Sequence, residues 1–162
     1  MEKDPKKGHV KPLPIDSITE EIDARPKVPC NDEEVLGVLE DLVNAVDNES
    51  YIPAIPTKEN PALSDDYIFD KTDEMLVLKM LNLENFVAKV KDVGKGSKRR
   101  VEQGLPQEFL YVLKFPCELT RRDSDISGIE TEQVLIYIKI NNRKVPDETV
   151  FIISFHKNNP RT

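Results

Sequence analysis

The most continuous apolar run in the chain spans residues 108–115, Glu-Phe-Leu-Tyr-Val-Leu-Lys-Phe, and is followed by Pro116. The run is rich in aromatic residues, which favour strands. At eight residues it is too short for a buried helix and has the length of a strand covered on both faces. The pattern therefore predicts a central strand over residues 108–115, ended by Pro116.

Four further segments have strand patterns. Residues 86–93 alternate apolar and lysine positions, residues 133–140 place four β-branched side chains on one face, and residues 150–155 form a short apolar run. Residues 75–83 fit either a helix or a strand, and their apolar triplet at 76–78 favours a strand. Loops without helices join the later segments, which predicts an antiparallel sheet of about five strands, as a sandwich or a partial barrel.

Residues 32–47 carry the clearest helical pattern, so the predicted fold class is α+β, rich in β structure. Asn31 with Glu34 resembles a capping box, and Asn48 supplies a stop signal. Four apolar residues form one stripe at helical spacing: Val35, Leu39, Leu42 and Val46. The width of this aliphatic face favours packing on the domain's own sheet. The alternative is docking into a partner's groove, which makes these four the candidate partner-binding residues.

The distribution of prolines and charges predicts three parts. Residues 1–30 hold five of the twelve prolines, mixed with charges, and are predicted to be a flexible N-terminal arm. Residues 31–157 are predicted to form one β-rich domain, followed by a tail at 158–162. Within the domain, prolines brace an extended segment over 49–73, whose apolar side chains are expected to be buried one at a time.

The net charge of −7 is unevenly distributed. Residues 31–74 carry thirteen acidic and two basic side chains, whereas residues 75–162 carry eleven acidic and fifteen basic ones. A glycine-rich loop is predicted over 94–106. Its basic residues, joined by two arginines from a later loop, are candidates for binding anions or nucleic acid: Lys95, Lys98, Arg99, Arg100, Arg121 and Arg122. The alternatives are a solvated loop, a contact with the acidic part of the same chain, or a protein partner.

The chain offers few groups for catalysis. Its two histidines, His9 and His156, are far apart in sequence and neither lies in a catalytic motif. No phosphate-binding glycine loop, Gly-x-Ser-x-Gly or His-Glu-x-x-His sequence occurs. The sequence therefore predicts no enzyme activity, no catalytic residues, no metal site and no cofactor.

The cysteines and the hydropathy bear on location. Cys30 and Cys117 are far apart and have no metal-ligand spacing around them, so free thiols are expected rather than a disulfide. Free thiols are typical of an intracellular protein, either cytoplasmic or nuclear. No apolar stretch approaches the ~20 residues needed to cross a bilayer, so no membrane contact is expected.

The function expected by elimination is a non-enzymatic protein–protein interaction module, a subunit or adaptor of a larger assembly. Strand addition at an open sheet edge is a suitable mode of binding, with residues 75–83 and 150–155 as candidate edges. The alternative is nucleic-acid or anionic-ligand binding through residues 95–100. The sequence does not predict an oligomeric state.

Overall fold

The sheet is organised around one long strand, as the apolar run at 108–115 predicts. A computed structural model describes residues 9–14, 26–128, 130–145 and 147–158. Its strands are β1 (Lys11–Pro12), β2 (Phe86–Lys91), β3 (Phe109–Thr120), β4 (Thr131–Arg143) and β5 (Thr149–Lys157). All pairs are antiparallel: β3, β4 and β5 lie side by side, while β1 and β2 both pair with β3. The five-stranded, antiparallel α+β fold is confirmed, and its sheet is open.

Pro116 does not end the central strand, contrary to the prediction. The carbonyl of Pro116 accepts a hydrogen bond from Leu13 N at 3.0 Å, on the side of β3 that β1 and β2 occupy. The nitrogen of a residue in a strand points to the same side as its carbonyl, so the missing N–H of Pro116 also faces that side. It falls between the first residue of β2, Phe86, which lies opposite Leu113, and the last residue of β1, Pro12, which lies opposite Cys117. The ladder with β4 therefore loses no bond, and β3 continues to Thr120.

In the part of the chain that the structure describes, four α-helices accompany the sheet: α1 (Asp32–Asp47), α2 (Lys71–Met80), α3 (Lys95–Glu102) and the single turn α4 (Ser124–Ser127). The predicted bounds of α1 are confirmed. Asn31 caps it by accepting from Glu34 N at 2.9 Å, and Asn48 follows its last residue. The Glu34 side chain does not complete the capping box, because it binds Tyr111 Oη at 2.7 Å and Lys89 Nζ at 2.6 Å.

The strand predicted at 75–83 is wrong, because most of this segment belongs to α2. Asp70 and Asp73 form a reciprocal capping box at the start of the helix, which the apolar triplet at 76–78 obscures in the sequence. Val77 and Leu78 are both buried, at 0% and 1% exposure. Since α2 is a helix, residues 75–83 are not a sheet edge.

The loop predicted at 94–106 is also wrong in part, because α3 occupies most of it. The helix forms despite Gly96 because it is held from outside. Ser97 is buried, and the Arg100 guanidinium binds both oxygens of Glu108. Gly104, with φ of +91°, closes the turn after the helix, a conformation that favours glycine.

The main core lies between α1, α2 and one face of the sheet. Alternate residues of β4, predicted to share one face, are all buried there: Val134, Ile136, Ile138 and Ile140. The same face of β3 contributes Leu113, Phe115, Cys117 and Leu119. Each large aliphatic side chain buried in this way stabilises the fold by about 1.5–3 kcal/mol relative to exposure.

Two parts of the segment predicted as an arm, 1–30, pair with the sheet. Lys11 and Pro12 form β1, and Val28 N donates to Lys89 O at 2.7 Å, on the outer edge of β2. The remainder of the predicted arm, residues 1–8 and 15–25, lies outside the described residues. So do residues 159–162 of the predicted tail.

Candidate functional site

A groove of about 420 Å³ runs along β5. Three parts of the chain line it: residues 153–156 of β5, the proline-braced segment 54–64, and residues 69–74 around the start of α2. Clefts that bind ligands have volumes of roughly 300–1,000 Å³, so the groove is large enough to hold several residues of another chain.

The outer edge of β5 is unpaired where it meets the groove. Ile52 covers the first part of that edge: Ile52 N donates to Val150 O at 2.9 Å, and Ile152 N donates to Ile52 O at 2.8 Å. Beyond Ile152, no main-chain group of the described residues pairs with this side of β5. The outward amides of residues 153–157 are therefore available to an additional strand, whereas the Lys157 carbonyl already lies 2.9 Å from His156 Nδ1.

A bulge in β5 changes the direction of its side chains at the groove. Ile152 is opposite Ile140 and Ser154 is opposite Lys139, so Ile153 is an extra residue without a partner in β4. Bulges commonly re-aim side chains next to binding sites. Ile153 is 44% exposed and lines the groove.

The segment 54–64 borders the groove without closing it. Pro53 directly follows Ile52, and the main-chain hydrogen bonds between this segment and β5 stop at Ile52. Thr57 and Asn60 then bond to each other in a turn, with Thr57 N to Asn60 O and Asn60 N to Thr57 Oγ1 both at 3.0 Å. Leu63, 5% exposed, anchors the end of the segment in the core. The segment thus leaves the strand edge open beyond Ile152.

The groove is partly apolar. Ile55 is 85% exposed, and it lines the groove together with the exposed Ile153 beside the open edge. Deeper in the lining, the rings of Phe69 and Phe155 lie with their centroids 5.8 Å apart. Large exposed aliphatic side chains that cluster at a concave site mark a binding surface more often than scattered ones do.

The start of α2 adds charge to the groove. Lys71 is bound to Glu74, with Nζ and Oε2 2.9 Å apart, and its Nζ also lies 4.3 Å from the centroid of the Tyr51 ring. Tyr51 Oη donates to the same Glu74 carboxylate at 2.5 Å. Burial, followed by this bond, raises the pKa of Tyr51. Asp70 is exposed and uses Oδ1 to cap Asp73 N, and it makes no ion pair with a described residue.

Beside the groove, His9 and Asp73 connect β1 to α2. The buried Asp73 carboxylate accepts hydrogen bonds from His9 N, from His9 Nδ1 at 2.9 Å, and from Asp70 N at 2.9 Å. Burial alone would raise the pKa of Asp73, but these hydrogen bonds outweigh it and lower the pKa. Ligand atoms of His9, Asp70 and Asp73 lie within 4.8 Å of one another, a separation suitable for a metal ion. The hydrogen bonds already account for the arrangement as a structural anchor.

The helical stripe predicted to bind a partner lies in the core instead. Val35, Leu39, Leu42 and Val46 are at most 7% exposed and pack in the main core between helices and sheet. This arrangement corresponds to packing on the domain's own sheet, the alternative that the wide aliphatic face favours. In the folded chain these four side chains are not accessible to a partner.

The six predicted basic residues do not form one surface. Lys95, Lys98 and Arg99 are exposed on α3, whereas Arg100 is turned inward to Glu108. Arg121 and Arg122 follow the far end of β3. That strand has twelve residues, so they lie roughly 35 Å or more from α3 at ~3.3 Å per residue.

Both of these distant arginines are also engaged. Arg121 binds Asp123 with two hydrogen bonds, at 2.7 and 2.9 Å, and Glu132 at 2.6 Å. Arg122 Nε donates to Ser64 O at 2.5 Å. Only the three cations on α3 remain as an exposed group from the predicted set.

The cysteines and the second histidine have structural surroundings. Cys30 and Cys117 are free thiols, as expected. Burial raises the pKa of Cys117 to about 12 and, together with nearby Glu34, that of Cys30 to about 11, so both are protonated at neutral pH. His156 lines the groove, with Nδ1 2.9 Å from Lys157 O.

The groove is the feature that sequence reasoning missed. The edge at 150–155 was predicted, but Ile55, Phe69 and Asp70 were not, because they come from segments about 80–100 positions earlier in the chain. The expectation that the apolar side chains of 49–73 are buried one at a time is wrong for Ile52 and Ile55, which are 46% and 85% exposed. The available signal was these two β-branched residues next to Pro53 and Pro56, since a segment in which prolines interrupt a strand still carries strand-like side chains.

Comparisons with protein-family models, with curated proteins and with solved structures found no match. Among the described residues, no helix has both the length and the apolar character required to cross a bilayer.

Proposed function

We propose that this chain is a non-enzymatic protein-interaction module, a subunit or adaptor that binds an extended segment of a partner protein by adding it as a strand to β5. The observation that carries the proposal is the unpaired outer edge of β5 beyond Ile152, which lies in a groove. Main-chain hydrogen bonds supply affinity in such complexes, and pockets beside the edge select side chains.

The surroundings of the edge support an extended occupant. An exposed strand edge pairs readily with other chains, and proteins usually protect it with charge, proline or a covering segment. Here the covering by Ile52 stops at Pro53, and the next exposed side chains are the apolar Ile55 and Ile153. The edge is therefore accessible and apolar where protection would be expected.

The proposal includes an intracellular location, cytoplasmic or nuclear. The free thiols of Cys30 and Cys117 support it, because secreted domains usually pair their cysteines.

The test is selection of a displayed library of random peptides on the whole chain, followed by titration of an enriched peptide. Ile55→Lys combined with Ile153→Lys is expected to weaken binding at least about tenfold, since both changes introduce charge at the apolar edge. Ile126→Lys is the matched control, because Ile126 is 91% exposed and lies on α4, outside the groove. The control is expected to bind like the unmodified chain.

Amide hydrogen exchange then tests the mode of binding. Outward amides of residues 153–157 are expected to become protected when the selected peptide binds. Binding that survives the double substitution, or that leaves these amides unprotected, would contradict strand addition. A selection that enriches no peptide above background would also count against the function.

A second candidate function is anion or nucleic-acid binding by α3. Lys95, Lys98 and Arg99 have the i, i+3, i+4 spacing of one helical face and make no ion pair with a described residue. Binding of a single-stranded oligonucleotide should then weaken steeply as the salt concentration rises. Binding should be lost in the triple variant Lys95→Ala, Lys98→Ala, Arg99→Ala and retained in the control variant Lys58→Ala. Salt-insensitive binding, or none at low salt, would exclude this candidate.

A further inference from the structure

We infer that the segment bound along β5 is basic and aliphatic, with lysine or arginine alternating with valine, isoleucine or leucine. This inference rests on the proposed function and specifies the chemistry of the partner.

The aliphatic part follows from strand geometry. Side chains of an added strand alternate between the two faces of the sheet, so every second residue of the bound segment meets the same set of groove residues. On the side of α2 this set includes Phe69 and Phe155, both less than 10% exposed, with the exposed Ile55 nearby. Branched aliphatic side chains both favour strand geometry and bury apolar area on such a surface.

The basic part follows from the charges that line the groove. Of these, Lys71 is bound to Glu74, and together they contribute no net charge. Asp70 lines the groove with one carboxylate oxygen used for capping and no cationic partner among the described residues. The His9 ring, which lies close to Asp70, bonds through Nδ1 to Asp73 instead. A lysine or arginine of the bound segment would supply the missing countercharge.

The charged residues next to the lining residues in sequence have the same sign, and we refer to them as the rim. They include the exposed acids Glu59, Asp65 and Asp66 and the base Lys58, while Arg122 Nε donates to Ser64 O of the lining. With the two acids and one lysine of the lining, this gives five acidic and three basic side chains. An acidic rim attracts basic segments and repels acidic ones, which sets both the encounter rate and the choice of partner.

The test measures the charge of the peptides selected in the preceding experiment and their dependence on Asp70. Enriched peptides are expected to carry more lysine and arginine than aspartate and glutamate. Asp70→Asn is expected to weaken a selected peptide about threefold, the effect of one exposed ion pair. Asparagine caps helices as well as aspartate does, so α2 is retained. Asp32→Asn, in the first turn of α1, is the control and should change nothing.

The outcomes separate the two proposals. Selected peptides that protect residues 153–157 but are neutral or acidic would overturn this inference and leave the proposed function in place. Equal effects of Asp70→Asn and Asp32→Asn on peptide affinity would also overturn this inference and leave the proposed function in place. Failure to select any groove-dependent peptide would overturn the function itself. The free chain could also dimerise, and the double substitution Ile55→Lys, Ile153→Lys could abolish that dimer. This result would assign the edge to a second copy of the chain and overturn the inference of a basic partner segment.

Discussion

Glu108 holds three elements together through a single carboxylate. It is 9% exposed and accepts hydrogen bonds from Arg100 of α3, from Arg143 Nε at 3.2 Å, and from Asn141 Nδ2 at 2.8 Å. Burial alone would raise the pKa of Glu108, but the bonds from Arg100, Asn141 and Arg143 outweigh it and lower the pKa. The residue therefore remains ionised in the fold.

Glu108→Ala is expected to lower the free energy of unfolding by about 2–3 kcal/mol, because it leaves two guanidinium groups and an amide without their shared acceptor. Urea unfolding measures this loss. Glu102→Ala, an exposed acid at the end of α3, should cost little. Equal losses in the two variants would mean that the Glu108 contacts contribute nothing specific.

Glu132 makes stability depend on pH. Hydrogen bonds from Tyr67 and Lys157, with a further contribution from Arg121, lower the pKa of Glu132 from 4.5 to about 2. The unfolded chain binds the Glu132 proton more tightly than the folded chain does. The contribution of the Glu132 carboxylate to the free energy of unfolding is therefore present above pH ~4.5 and is lost as the pH falls towards 2. Glu132→Gln is expected to cost roughly 1–2 kcal/mol at pH 7, discounted because the side chain is a quarter exposed.

Unfolding experiments at several pH values test this expectation. The stability difference between the unmodified chain and Glu132→Gln should shrink between pH 4.5 and 2. A difference that stays constant over this range would show that the carboxylate charge is not the cause.

At the scale of elements, the sequence predicted α1 well because its cap, apolar stripe and stop signal agree with one another. It failed for α2, where a capping box from Asp70 to Asp73 competes with a strand-like apolar run. The sequence did not predict α3, because glycines disfavour a helix. The contacts that stabilise α3, above all the one between Arg100 and Glu108, are tertiary contacts that no local pattern shows.

The start of α2 gives a test at this scale. Asp73→Ala removes the acceptor of three N–H groups, two from His9 and one from Asp70. It is expected to lower the free energy of unfolding by about 2–3 kcal/mol and to expose residues 9–14 to limited proteolysis before the rest of the domain. Asp65→Ala, in a short exposed turn, is the control. Unchanged proteolysis of residues 9–14 would show that His9 does not anchor β1.

For the whole molecule, strands β2 to β5 and their antiparallel pairing were predictable, since alternation along a strand reports directly which face is buried. Strand β1 was not predictable, because two residues carry no alternation. The candidate site was only half predictable. The edge at 150–155 follows from one segment, but the groove requires residues 54–64 and 153–156 to be adjacent. No local pattern encodes a contact between segments that far apart.

Native-state hydrogen exchange tests this view of the sheet. Amides of β3 and β4 that bond between two neighbouring strands, such as those near Leu113 and Ile138, should exchange only on global unfolding. Outward amides of residues 153–157 in the free chain should exchange orders of magnitude faster. If these amides exchange as slowly as the centre of β3, the outer edge of β5 is not open.

The nitrogen of Pro116 has a consequence for how the chain tolerates changes in length. Strands β1 and β2 pair with the same side of β3, and neither can extend past Pro116, because its nitrogen offers no donor. The carbonyls of Lys114 and Pro116 on this side already accept hydrogen bonds from Asn85 Nδ2 and Leu13 N. Each partner therefore has its own fixed stopping point on β3, independent of the other. Insertions or deletions in the exposed turn at 57–59, within the long connection between them, would therefore leave the alignment of both unchanged.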